Sequence, residues 1–111
     1  MKTKNLTKEE VIKRLRENRR VLLNYGVKRI GLFGSFVRGE QERKSDIDLV
    51  VEFDQSLFGK DFKGLFDAYM GLSSFLKNLF GRKIDILTPI SIKTIRIKKV
   101  AEEIERSLIY V

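Results

Sequence analysis

Hydrophobic positions recur along the chain in two rhythms, one of helical spacing and one of period two. Val11, Leu15 and Leu22, with Ile12 and Leu23 beside them, form a helical stripe. Arg14, Arg16, Arg19 and Arg20 lie mostly off it. Thr7-Lys8-Glu9-Glu10 has the form of a capping box, with Thr7 facing the free amides and Glu10 reaching back. Tyr25-Gly26 ends this element, so one helix is expected rather than a helix-turn-helix pair. Residues 27–33 then read as a strand, 35–38 as a short helix and 39–44 as a polar loop. A second strand at 47–53 carries Ile47, Leu49, Val51 and Phe53 at period two.

After a loop at 54–60, helical spacing returns with Phe62, Leu65, Phe66, Tyr69, Leu72, Leu76 and Leu79. This stripe is expected to be core, covering the apolar face of the strands. Gly71 suits close packing and Gly81 a helix end. Residues 83–87 form a third strand, which Thr88-Pro89 breaks. Ile92, Ile95 and Ile97 fit neither rhythm alone, whereas Ile97, Val100, Ala101 and Ile104 fit a helix. Residues 108–111 end as an edge strand or a packed tail. The pattern predicts one α/β domain over residues 1–111: a small mixed sheet of three or four strands, helices packed on one face, acids exposed on the other. There is no internal repeat, linker or low-complexity segment.

Composition narrows the chemistry. The 111 residues contain no histidine and no cysteine, which excludes disulfides, thiolate or imidazole zinc sites, and Ser-His or Cys-His catalysis. Any metal must be held by oxygen, which favours magnesium or manganese. No apolar run approaches membrane-spanning length and Met1 does not open a signal peptide, so no membrane association and a cytoplasmic location are expected. Residues 1–45 carry 13 Lys and Arg against 5 acids, and residues 46–111 carry 10 of each. A basic first half fits a nucleotide or nucleic-acid partner, or simply a lysine-rich solvated surface. Without exposed aromatic platforms or a helix-turn-helix, direct nucleic-acid binding is not favoured.

The densest chemistry lies in FGSFVRGEQERKSDIDLVVEF, residues 33–53. In a strand, residues two apart share a face, so Asp46 and Asp48 project together while Ile47 and Leu49 point away. Their stems are roughly 6.6 Å apart, enough to bracket a pair of hard cations. The plainer alternative is two solvated acids at a strand entrance. Gly34-Ser35 follows the first strand at once. Glycine lets backbone approach an anion, a helical turn points its N–H groups outward, and Ser35 adds a hydroxyl. Arg38, Arg43 and Lys44 bring positive charge to the same loop. Asp85, flanked by Ile84 and Ile86, faces away from the core on the third strand and can complete an acidic triad, or be an ordinary surface acid. Glu52 shares the face of Asp46 and Asp48 but lies farther along, as a rim charge.

GSFVRGEQERKSDIDL resembles the signature of the minimal nucleotidyltransferases, small members of the DNA polymerase β-like superfamily, and the likeness extends to Gly81-Arg82-Lys83-Ile84-Asp85-Ile86-Leu87. The resemblance implies a polymerase β-like palm that transfers AMP from ATP and releases pyrophosphate. It places Asp46, Asp48 and Asp85 at catalytic, metal-binding positions for two Mg²⁺ ions. Gly34 and Ser35 fall at the triphosphate site, with Arg38 and Arg43 beside it. It further implies a small helical HEPN-type toxin as partner, silenced when AMP is added to one of its tyrosines. Two alternatives stand beside this: an antitoxin that neutralises its partner by contact alone, and a small-molecule adenylyltransferase. A palm of this size has no evident spare element to hold an acceptor, so the acceptor is expected to arrive on a folded partner.

Overall fold

The computed structural model describes residues 6–39, 45–58 and 64–111. Four strands form one mixed sheet: β1 (Val27–Phe33), β2 (Ile47–Phe53), β3 (Ile84–Leu87) and β4 (Ile109–Tyr110), in the order β3-β2-β1-β4. β1 runs antiparallel to β2 and β4, whereas β2 and β3 are parallel. The parallel pair needs a crossover, and the helix between them supplies it. That helix is α4 (Leu65–Phe80).

The helices preceding the sheet are α1 (Lys8–Glu17) and α2 (Arg19–Asn24). The expected single helix is therefore divided at Asn18. Its side-chain amide donates to the Arg14 carbonyl at 2.8 Å, offering the backbone a local alternative to the ladder. Only that one residue intervenes, and Leu22 N–H still reaches the Asn18 carbonyl at 3.1 Å, so the break is a kink rather than a helix-turn-helix. Thr7 caps α1 as expected, accepting from the Glu10 amide at 3.2 Å. The Glu10 carboxylate turns instead to Arg14, 3.6 Å away.

One face of the sheet carries the main core. Ile30 and Leu32 of β1 and Ile47, Leu49 and Val51 of β2 pack there against α1, α2 and α4. A register shift between Val27 and Arg29 lets Val27 and Ile30 both face this core, although a regular strand would place them on opposite sides. Gly71 of α4 packs against Tyr25, where an added Cβ would come within 2.7 Å of the ring. Two expected core residues lie elsewhere: Leu23 is 53% exposed and Phe66, in the first turn of α4, is 74% exposed. Gly64 starts α4 in the left-handed conformation. Phe62 lies outside the described residues.

The second face is not bare. α5 (Pro89–Lys93) and α6 (Lys98–Ser107) cover part of it, burying Phe33, Val50 and Ile92 beside Leu87, Ala101, Ile104 and Leu108. Gly31 admits this close approach, since a side chain there would meet Leu108 at 2.7 Å. The chain then returns to the sheet edge as β4. No helix among the described residues is long and apolar enough to cross a membrane.

Candidate functional site

β1 delivers Gly34 and Ser35 at its C-terminal end, and α3 (Ser35–Arg38) begins at once. Gly34 adopts φ 79° and ψ −149°, which an L side chain resists. A Cβ there would also collide with the Asp48 carboxylate. Only glycine fits this position, for both reasons. Its carbonyl accepts from Val37 and Arg38 N–H, both at 3.1 Å, closing the short helix. Its N–H donates to the Ser107 hydroxyl at 3.4 Å, which joins the end of α6 to the turn. Ser35, half-buried at the first helical position, has no hydrogen bond to another described residue through its hydroxyl.

β2 and β3 deliver the acids. Asp48 lies directly opposite Asp85 across the parallel pair and opposite Phe33 across the antiparallel one. This register sets the two carboxyl groups side by side on the sheet. The Asp48 carboxyl is pushed up from 3.8 to about 6. Burial is the largest cause, followed by the charge and hydrogen bond of Asp85 and the charge of Asp46, with Arg38 opposing them.

Asp46 precedes β2 and behaves differently. Its carboxylate is 3.9 Å from Lys83 Nζ, and both groups are substantially exposed. Among the described residues no three acids converge as a ready metal site. Asp48 and Asp85, adjacent across the parallel strands and all-oxygen, suit a hard divalent cation. Asp46 can join once its carboxylate leaves Lys83.

Arg38 is exposed at the end of α3, and its charge reaches Asp48. Arg43 and Lys44 lie outside the described residues. Glu52 pairs with Lys28 at 3.8 Å and Arg29 at 3.2 Å, as befits a rim charge. Three residues carry structural contacts at the site that the motif reading did not assign: Arg82, Lys83 and Ser107. Lys83 left a signal, since it stands two residues before Asp85 and alternation puts both on the acid face. Ser107 left none, because its contact with Gly34 spans most of the chain.

A family model for the nucleotidyltransferase domain matches residues 8–111. "Putative protein adenylyltransferase MJ1379" of Methanocaldococcus jannaschii is 41% identical over 106 residues, covering 95% of this chain and 98% of that protein. "Protein adenylyltransferase MntA" of Thermococcus cleftensis is 32% identical over 109 residues, covering 96% and 97%. Among solved structures, a minimal nucleotidyltransferase superposes with a TM-score of 0.68 at 24% identity, covering 96% of this chain and 98% of the other. A toxin-antitoxin crystal structure with AMP-PNP gives 0.55 at 23%, covering 95% and 72%. Both structural likenesses concern the fold.

Proposed function

The chain belongs to the nucleotidyltransferase domain family, and on that footing we propose that it moves AMP from ATP to a tyrosine hydroxyl of a helical HEPN-type toxin, acting as an antitoxin enzyme. The observation that carries the reading is the close approach of the Asp48 carboxylate to Gly34, near enough that any Cβ there would collide with it, with Asp85 opposite Asp48. A triphosphate held by the turn would have its reacting end beside the acids. The names of the two sequence relatives support protein as the acceptor class, and the motif resemblance supports the toxin.

In this reading Gly34 and Ser35 grip the β- and γ-phosphates, while Arg38 and Arg43 neutralise them. Asp46 and Asp48, with Asp85 as a further ligand or as the base, would hold two Mg²⁺ ions, which would draw charge from the triphosphate and lower the acceptor hydroxyl's pKa. The tyrosine oxygen forms a bond to the α-phosphorus as the bond to the bridging oxygen breaks. Pyrophosphate leaves, and the hydroxyl proton passes to Asp85, or to solvent where that carboxylate instead holds the second ion. Burial beside other acids makes Asp48 a poor place for free negative charge, so a cation at this carboxylate would favour its ionised form.

Intact-mass spectrometry of a toxin co-expressed with this chain tests the reading. An AMP-sized increment should appear with the wild type and vanish with Asp46→Asn. A neutralised but unmodified toxin would overturn it in favour of contact alone. Modification of a small molecule with the toxin untouched would overturn it in favour of a metabolite adenylyltransferase.

A further inference from the structure

Two parts of the site come from different stretches of chain: the Gly34–Ser35 turn with α3, and the entrance to β2 that carries Asp46. Among the described residues, the Arg82 side chain touches both. Arg82, half-buried between α4 and β3, places its guanidinium carbon 5.6 Å from the centre of the Phe36 ring. Phe36 follows Ser35 and is almost completely buried, so it is a fixed reference point on the phosphate side. The same guanidinium donates through Nη1 to the Ser45 carbonyl at 3.2 Å, immediately before Asp46.

The neighbouring residue extends the grip. The Lys83 carbonyl accepts from Ile47 N–H at 3.0 Å, and its ammonium pairs with Asp46. Residues 45, 46 and 47 are thus each held by 82 or 83. Of these contacts, only that of Arg82 continues across to α3. A planar guanidinium is suited to this because it can stack on a ring and donate in its plane at once, which an ammonium does less well.

We propose that Arg82 is a positioning residue that sets the separation between the phosphate-binding turn and Asp46, without touching substrate itself. The inference rests on the nucleotidyl-transfer reading above and adds to it a residue that acts through Asp46. Loss of the guanidinium should leave the turn intact but let the start of β2 drift. The consequence should be weaker coupling between metal and nucleotide, because a misplacement of about 1 Å is enough to spoil a site held by short bonds.

The test uses the whole chain, Mn²⁺ as the metal and AMP-PNP as a nucleotide that is not consumed. Arg82→Met keeps the stem against Phe36 and removes the donor and the charge. We expect Mn²⁺ binding to the AMP-PNP-loaded protein, read by electron paramagnetic resonance, to weaken about tenfold. AMP-PNP binding in EDTA should stay within about twofold of wild type, and Arg82→Lys should recover part of the Mn²⁺ loss. Unchanged Mn²⁺ binding overturns the proposal. An equal loss of AMP-PNP binding in EDTA also overturns it, by making Arg82 a direct phosphate ligand or a plain fold-holding residue. Asp46→Asn is the companion control. If it binds Mn²⁺ like the wild type, the metal role of Asp46 fails and this inference falls with it. If Asp46→Asn loses Mn²⁺ while Arg82→Met does not, only the inference about Arg82 fails.

Discussion

Asp48 is where opposing demands meet most sharply. It is half-buried, faces two other acids and abuts a glycine turn, so its charged form is disfavoured in the folded protein. Because its carboxyl is raised to about 6 from an ordinary 3.8, the folded state holds the proton more tightly than the unfolded state. The stabilisation is complete below about pH 4 and is lost as pH rises through about 6. In EDTA, wild type should therefore lose stability across that window, by an amount on the order of 1 kcal/mol after allowing for solvent screening. Asp48→Asn mimics the protonated acid and should be flatter in pH. Calorimetric melting of both proteins from pH 4 to 7 checks this, and parallel curves would refute it. Much at this scale was legible in the chain, because alternation along β2 and β3 fixes which face each acid takes. What was not legible is that Asp46 turns to Lys83. The pairing depends on the relative placement of the β2 entrance and β3, which local spacing does not contain.

Period alone located α4 but not its buried length. Leu72 and Leu76 are fully buried, whereas Phe66, on the same expected stripe, is 74% exposed. A stripe is apolar by sequence, but it is covered only as far as a partner extends beneath it, and the partner is assembled from remote strands. The same reasoning explains Asn18. Its effect on the helix depends on whether the side chain bonds backward, which helical spacing cannot say. Leu72→Ala should cost about 2–5 kcal/mol by leaving a cavity, and Phe66→Ser less than about 0.5 kcal/mol. Urea unfolding of the two variants measures this directly. A comparable loss from Phe66→Ser would mean that its ring is covered in solution.

The sheet divides the molecule into two unequal bodies, and that asymmetry bears on the site. The face packed by α1, α2 and α4 holds most of the buried apolar residues, among them Leu72, Leu76 and Phe80 of α4. The opposite face buries Phe33, Val50 and Ile92, and α6 contributes no fully buried residue among those described. Local opening free energy follows buried apolar contact, so α6 should open at less than the cost of global unfolding. Ser107, at the end of α6, accepts from the Gly34 N–H, so the less firmly held body contacts the turn assigned to phosphate. Opening of α6 would withdraw that acceptor and free a donor at the site without disturbing β1 or β2. Native-state hydrogen exchange is the measurement. Amides of α6 should exchange faster than those of Leu49 and Val51 and with a smaller dependence on denaturant, the mark of a partial opening. If α6 exchanges only with the free energy and denaturant slope of the main core, the two bodies are one cooperative unit and the turn is held as rigidly as the sheet.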